Sequence, residues 1–422
     1  MSQWRRLDLN EIIFNRVVAT NAENLEKVRE ALKDRPGVKI MVVGRGEGEN
    51  VISYDEVSST PVGQLPSPAD GESMFLLPFS SGTTGRPKGV MLSHNNYVAN
   101  ILQLVPYNLS AGVTSTVLIF PMYHAGGMKV WLECLYHGVK VVTLPSFNPD
   151  TYLSSLLSHR PEQLTLPPPL VQFLAKSDKA TMDHLKDIQM ILVGAAPVGV
   201  ALIKDFLKKA PDCQFREVWG MTELSAVGTM TSEETVHGSC GRVVPNTQVK
   251  VVDINSGEKV GPGSQMTGEI CVRGPQVMMG YFNNQVETDN TLRDGWLHTG
   301  DIGYYDDAGN IYICDRLKEL IKVKGFQVAP AELEDVIRGI PEVTDVAVIG
   351  IEDERDGEVP RAYVVSSSSE LTSSQVEDHV AQKLSTFKHL KGGVAFVKEI
   401  PKSAAGKILR KDLKSQYLQQ GF

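Results

Sequence analysis

No two cysteines in this 422-residue chain are spaced as CxxC, and the five present, Cys134, Cys213, Cys240, Cys271 and Cys314, are scattered and odd in number. That argues against a disulfide framework or a structural zinc site and for a reducing compartment. The nine histidines form no HExxH or HxH group, and no apolar run approaches the roughly 20 residues of a membrane span. Basic residues are outnumbered, 42 against 50 acidic, for a net charge of −8. A protein whose main partner is a nucleic-acid backbone or an anionic membrane surface needs the opposite balance. The first residues carry no secretory leader, and the final Gly-Phe pair ends neither a peroxisomal tripeptide nor a prenylation box, so a cytoplasmic location is expected.

What is present is an ordinary globular composition, 42% hydrophobic and 22% charged with 37 glycines and 23 prolines. At about 150 residues per domain the length predicts two or three domains. Residues Ile12 to Val18 read as a strand, Thr20 with Glu23 as a capping box, and Leu25, Val28 and Leu32 as one face of a helix ended by Gly37. Val38 to Val43 is then a second strand, the opening of a parallel α/β sheet. Short buried strands are predicted at Val117 to Phe120, Val139 to Leu144, Gln163 to Leu166 and Met190 to Val193, alternating with amphipathic stretches such as Pro149 to His159 and Val198 to Lys209. From about Gly241 the texture turns β-rich, with strands at Gln248 to Asp253 and Gly268 to Arg273. Beyond Asp315 to Lys324 helices and strands mix at shorter spacing, as in a smaller α+β domain. The expected fold is a doubly wound α/β large domain with a β-rich part at about 241–314, followed by a small α+β domain at 315–422.

The most informative segment is the stretch from Leu77 to His94, which crowds Ser80, Ser81, Thr83, Thr84, three glycines and Lys88 into ten residues. Gly82, Gly85 and Gly89 let the backbone approach a polyphosphate, hydroxyls and amides donate to its oxygens, and Lys88 adds charge. It is not a Walker loop, because Lys88 follows Pro87 and precedes Gly89, and no kinase HRD or DFG element accompanies it. A Ser/Gly-rich loop by itself is more often a plain turn. A hydroxyl-rich half joined to a basic half in fixed order is much rarer.

Ser80-Ser-Gly-Thr-Thr-Gly-Arg-Pro-Lys-Gly-Val90 resembles the signature loop of the adenylate-forming superfamily, which contains acyl-CoA synthetases, 4-coumarate:CoA ligases, beetle luciferases and peptide-synthetase adenylation domains. The resemblance continues in order through Pro121-Met-Tyr-His-Ala-Gly-Gly127, Gly194-Ala-Ala-Pro197, Trp219-Gly-Met-Thr-Glu223, Gly268-Glu-Ile270 and Gly295-Trp-Leu-His-Thr-Gly-Asp301. It closes with the segment from Asp315 to Glu334 and with Pro401-Lys-Ser-Ala-Ala-Gly-Lys407.

The resemblance implies attack of a carboxylate on the α-phosphate of ATP with release of pyrophosphate, then attack of the coenzyme A thiol on the acyl adenylate. Both first reactants are anionic, so the site must align them and neutralise moving charge. By resemblance Ser80, Ser81, Gly82, Thr83, Thr84, Gly85 and Lys88 hold phosphates, and Glu223 reaches Mg²⁺, for which a hard carboxylate oxygen is suited. Thr222 meets the α-phosphate, Asp301 the ribose hydroxyls, and Arg316 bridges ribose and phosphate oxygens. Gly194, Ala195, Ala196 and Pro197 are implied to lie along the adenine and the acyl group, and Trp219, Gly220 and Met221 to belong to the nucleotide site. Lys407 is implied to bridge the carboxylate and the α-phosphate during adenylation. Rotation at a hinge, 315–318 with Lys318 at its pivot, would then replace it by the Lys322 to Gln327 strand. Gly325 and Lys324 would border the pantetheine tunnel, and Lys322 and Gln327 the thioester-forming site. Tyr123, His124, Gly220, Met221 and Val227 are expected to wall an apolar acyl pocket. Taken one at a time, several of these residues have blander readings: Glu223 a surface carboxylate, Asp301 a turn residue, Lys407 a solvated lysine and His124 a satisfied core residue.

Family members carry on the order of a hundred more residues before this loop, comparable to a small domain. The first strand therefore matches the middle of the large domain, and several elements of its first subdomain are expected to be missing. The expected function is that of an ATP-dependent acid:CoA ligase for a fatty or arylalkanoic acid, with ATP, Mg²⁺ and coenzyme A. The alternatives are a catalytically silent binding product of the same fold and a luciferase-like monooxygenase.

Overall fold

The computed structural model describes residues 17–35, 37–61, 63, 67–80, 87–107, 109, 112–196, 198–232, 235, 238–324, 326–402 and 406–420. The chain divides into two compact units that change over near Asp70 and Gly71.

In the first unit, strands Val17–Asn21, Lys39–Val43 and Val51–Ser53 form a parallel three-stranded sheet. Leu25 and Leu32 pack on Ile40 and Val42, with Val28 partly buried beside them, so the apolar face read from the sequence is the one that is buried. The Thr20–Glu23 capping box does not form. Asn21 is the cap, its side chain accepting from the Asn24 amide at 3.1 Å ahead of helix Leu25–Ala31. Asn is as good a cap as Thr, and the strand runs on through Thr20 to Asn21. Of the predicted strand Ile12 to Val18, residues 12–16 lie outside the described residues.

The second unit is built around a seven-stranded sheet. Its order is Arg242–Val243, Thr229–Met230, Gln214–Trp219, Met190–Val193, Gln163–Leu166, Ser115–Leu118 and Lys140–Thr143. The last five named are mutually parallel, and the first two are antiparallel additions. Met190–Val193 is buried along its whole length because the sheet is covered on both faces. Ile191 and Val193 pack with Tyr152, Ile203 and Phe206 from helices Pro149–His159 and Val200–Lys209. Met190 and Leu192 pack with Leu104, Met230 and Val244 on the opposite side. The alternation of strand and amphipathic helix in the sequence thus becomes a doubly wound α/β layer.

The β-rich segment is a six-stranded antiparallel sheet in which Gln248–Val252, Gly268–Arg273, Trp296–Tyr305 and Ile311–Arg316 are successive neighbours. A four-stranded sheet joins Gly280–Tyr281 to Lys88–Ser93 and the strands before it. The C-terminal part is a five-stranded sheet with the long hairpin Val343–Asp353 and Gly357–Ser366 at its centre. One face is covered by helices Pro330–Arg338 and Ser373–Ala381, and the other carries Tyr363, Ile349 and Leu413. The architecture is the expected one, a large α/β part with sheets and a smaller C-terminal α+β part.

Candidate active site

Antiparallel pairing of Trp296–Tyr305 with Ile311–Arg316 sets Asp301 directly opposite Arg316. Asp301 is only 4% exposed. Its Oδ2 accepts from Trp219 Nε1 at 2.9 Å, while Oδ1 lies 3.1 Å from Arg316 Nε and accepts no hydrogen bond. Burial pushes the Asp301 pKa up, against the Arg316 charge, the Trp219 hydrogen bond and the charge of Lys407. Lys407 belongs to the same neighbourhood. Burial pulls its pKa below the usual lysine value, Arg316 pulls it further, and Glu319 and Asp301 oppose the fall. Its position is fixed on two sides. Gly406, at φ +81°, lies so close to the start of helix Pro168–Lys176 that a Cβ there would stand 3.3 Å from Pro169. Three residues on, Arg410 donates to Glu319 at 2.8 Å and to Glu334 at 2.6 Å. A buried carboxylate with one oxygen free of hydrogen bonds, flanked by two cations, can receive hydroxyl donors and steer an anion past them.

Beside this group, strand Gln214–Trp219 ends in a tight turn. A Cβ on Gly220 would stand 1.9 Å from the Ala226 carbonyl oxygen, and Ser225 and Ala226 have φ of +53° and +105°. Such conformations cost non-glycine residues energy and are held only by the surrounding fold. The turn presents Thr222 and Glu223. Glu223 is buried and its Oε1 accepts from the Tyr281 hydroxyl at 2.9 Å. Lys88 Nζ lies 4.7 Å from the centre of the Tyr281 ring and pairs with Glu287. Lys318 lies among Lys88, Arg316 and Lys411; burial first, and then these charges, lower its pKa. Ser80 faces Lys88 across a two-stranded pairing, and the signature residues Ser81, Gly82, Thr83, Thr84 and Gly85 lie outside the described residues.

The Gly194 turn leaves the C-terminal end of Met190–Val193, next to the end of Gln214–Trp219, the place where parallel α/β sheets bind ligands. Ala195 has φ +74°, and a Cβ on Gly194 would stand 2.7 Å from Val218 Cγ2. Pro197 lies outside the described residues. Glu217 shares the strand face of Trp219 and pairs in register with Val193. It is 8% exposed, and its Oε2 has no hydrogen-bond partner. Burial raises its pKa to about 7, with a backbone bond from Gly238 working the other way. Sequence reasoning passed over Glu217. The available signal was an ionisable residue inside an otherwise buried strand, two positions before Trp219.

The residues expected to wall the acyl pocket divide. Met221 and Gly220 belong to the turn just described. His124 caps helix Ala125–His137, its Nδ1 accepting from the Gly126 amide at 3.2 Å, and burial lowers its pKa. Tyr123 is 66% exposed. Val227 is a core residue: it packs with Leu104, Leu192 and Val244, and Asn100 brackets its peptide group through both amide atoms. Lys322 and Gln327 face each other on the exposed side of the hairpin Ile321–Val323 and Phe326–Val328, whose Ile321, Val323 and Val328 are buried, and Lys324 Nζ lies 3.1 Å from Asp356. Among the described residues, no hydrogen bond or ion pair joins these three to the Asp301 group. Gly325 lies outside the described residues.

The sequence model for the AMP-binding enzyme matches residues 10–282, and that for the AMP-binding enzyme C-terminal domain matches residues 332–407. The chain belongs to the AMP-binding enzyme family. Similar curated proteins include 4-coumarate–CoA ligase 3 of Oryza sativa subsp. japonica, 38% identical over 95% of this chain and 74% of that one. 4-coumarate–CoA ligase 1 of Arabidopsis thaliana is 37% identical with the same coverage. This member of the family thus spans about three quarters of the length of those relatives. Among solved structures, ATP-bound MatB from Rhodopseudomonas palustris superposes with a TM-score of 0.88 at 27% identity, over 98% of this chain and 81% of that one. Apo MatB superposes over the same shares with a TM-score of 0.75.

One further group in this AMP-binding enzyme has metal-ligand chemistry. Ligand atoms of Glu269, Cys271 and His298 all lie within 4.8 Å of one another. Cys271 and His298 are register partners across two strands, and Glu269 precedes Cys271 by two residues on the same strand. Glu269 is saturated by protein donors. Its Oε2 accepts from His298 Nδ1 at 2.7 Å and faces Arg293 at 3.5 Å, and its Oε1 accepts from the Gly300 amide at 3.1 Å. The group therefore reads as a structural clasp and not as a cation site. No helix among the described residues is long and apolar enough to cross a membrane.

Proposed function

We propose that the chain is an ATP-dependent acid:CoA ligase, which joins a carboxylic acid to AMP with release of pyrophosphate and then transfers the acyl group to coenzyme A. The observation that carries the reading is the Asp301–Arg316–Lys407 constellation. The buried Asp301 carboxylate suits a ribose diol, and two cations border the path that an α-phosphate would take from it. In this reading Asp301 accepts from the ribose hydroxyls and Arg316 spans ribose and phosphate. Lys407 lies between the carboxylate substrate and the α-phosphate and stabilises charge that grows in the transition state. Adenine lies against Gly194–Ala196 and Trp219, where the free Oε2 of Glu217 suits an exocyclic amino group. Ser80, Lys88 and the signature loop, with Lys318, receive the outer phosphates, and Thr222 donates to the α-phosphate.

Glu223 fits a divalent cation: it is a hard oxygen donor, and among the described residues its side chain accepts only the Tyr281 bond on Oε1. Bound there, Mg²⁺ would neutralise charge on the leaving pyrophosphate. The chain's own cations, Lys88, Arg316 and Lys407, carry alignment and the rest of the charge compensation.

The higher score against ATP-bound than apo MatB, at equal coverage, supports a domain arrangement suited to adenylation. We assign the large domain to residues up to 314, the small domain to 315–422, and the hinge to 315–318. Rotation there would withdraw Lys407 and bring Lys322, Lys324 and Gln327 to the adenylate for thioester formation. The names of the plant relatives and the apolar surroundings of Met221 support an aryl or alkyl carboxylic acid as substrate. In this reading His124 and Tyr123 lie at its carboxyl end. The test is carboxylate-dependent exchange of labelled pyrophosphate into ATP across a panel of hydroxycinnamic, arylalkanoic and fatty acids. Exchange with at least one acid is the expected result; soluble protein with none across the panel would refute the ligase reading.

A further inference from the structure

The Gly300 peptide, which precedes Asp301, is pinned at both ends. Its amide donates to Glu269 Oε1 at 3.1 Å, and its carbonyl accepts from the Leu317 amide at 2.8 Å. Gly300 itself has φ +69°, a left-handed conformation that an unsupported strand would not hold. Beyond it, the Asp301 amide donates to Thr299 Oγ1 at 3.1 Å, and Thr299 Oγ1 donates in turn to the Ile270 carbonyl at 2.7 Å. The Glu269 carboxylate is aimed by His298 on its other oxygen, and His298 is held against Cys271, Sγ to Nδ1 3.4 Å, on the neighbouring strand. The strand register shifts between Glu269 and Cys271, which turns the Glu269 carboxylate toward the Gly300 turn. The group thus ends one peptide bond from the carboxylate that must face the nucleotide.

We propose that Glu269, aimed by His298, is a positioning residue for nucleotide selection: by holding the Gly300 amide it fixes the angle at which Asp301 receives the ribose hydroxyls. The inference rests on the assignment of Asp301 to the ribose. Glu269 touches no substrate and acts through the Gly300 peptide. Both oxygens of Glu269 are committed; glutamine keeps Oε1 on the Gly300 amide while its NH₂ meets His298 Nδ1, which then accepts as the Nε2–H tautomer, whereas alanine releases the turn. A released turn weakens contacts to the 2′- and 3′-hydroxyls and leaves adenine and phosphate contacts in place. The signature is therefore a change in discrimination and not a general loss of affinity.

The experiment compares binding of AMP and 2′,3′-dideoxy-AMP to the full chain by titration calorimetry. The unsubstituted protein should prefer AMP by roughly 10- to 100-fold, as expected for two hydrogen bonds to a charged acceptor. In Glu269→Ala that preference should fall to within about threefold through loss of AMP affinity, with dideoxy-AMP affinity unchanged, and Glu269→Gln should restore most of it. His298→Ala, which leaves Glu269 free to swing away, should show the same change at smaller size and replaces Glu269→Ala if that variant does not fold. Retention of the full preference in the alanine variants, or equal loss for both nucleotides, would overturn the positioning role while leaving the Asp301 assignment intact. No preference in the unsubstituted protein would overturn both.

Discussion

Replacement of Glu217 by glutamine should stabilise the protein at alkaline pH and do little at acid pH. Glu217 is 8% exposed on a central strand, and burial raises its pKa from an ordinary 4.5 to about 7. The folded state therefore keeps a proton that the unfolded chain releases. The favourable contribution is fully present below about pH 4.5 and is lost as pH rises through about 7. At about 1.4 kcal/mol per pH unit, the ionised carboxylate costs on the order of 3 kcal/mol at pH 8 and above. Glutamine has nearly the same shape and cannot ionise, so Glu217→Gln should recover most of that at pH 8.5 and almost none at pH 4.5. Denaturant unfolding of both proteins without nucleotide, at the two pH values, measures the difference. A gain of the same size at both pH values would show that packing and not ionisation sets the effect, and would refute the reasoning.

Lys407→Ala should abolish pyrophosphate exchange while thioester formation from supplied acyl adenylate persists; loss of both would break the division between half-reactions. Because burial and Arg316 hold the Lys407 pKa below that of a free lysine, exchange should decline with rising pH before thioester formation does, and parallel pH profiles would count against Lys407 acting as an ammonium. Asp301→Asn leaves an acceptor for Trp219 Nε1 but removes the charge facing Arg316, so AMP affinity measured by calorimetry should fall roughly 10-fold or more. Gly220→Ala would force a Cβ to 1.9 Å from the Ala226 carbonyl oxygen, and a loss of more than about 2 kcal/mol is expected in denaturant unfolding.

Much of this architecture is legible in the chain because burial on both faces leaves unbroken apolar runs. Gln163–Leu166 and Met190–Val193 are strands with the limits that the residue pattern suggests, and Pro149–His159 is a helix with its proline at the first turn. Caps are decided by smaller margins: both Thr20 and Asn21 are competent, and the length of the preceding strand selected Asn21. The nucleotide motifs were legible as ordered residue types, since phosphate and ribose chemistry restricts which side chains suffice. The surroundings of Val227 were not legible in the same way. The residue was expected in the apolar set with Gly220 and Met221, and after the positive φ at Ser225 and Ala226 it is buried among Leu104, Leu192 and Val244.

The sequence by itself determined the family and the chemistry, because the order of eight short motifs survives any change in the residues between them. Only the tertiary structure decided which ionisable groups share a field. Asp301, Arg316 and Lys407 meet because antiparallel pairing sets the first two opposite each other, while Gly406 packs against Pro169 to bring in the third. Glu217 and Glu269 are set the same way, one buried with its Oε2 left unbonded and the other beside a register shift, with its carboxylate on a backbone amide. Charge, burial and cross-strand register are long-range properties, so no local window of the sequence contains them.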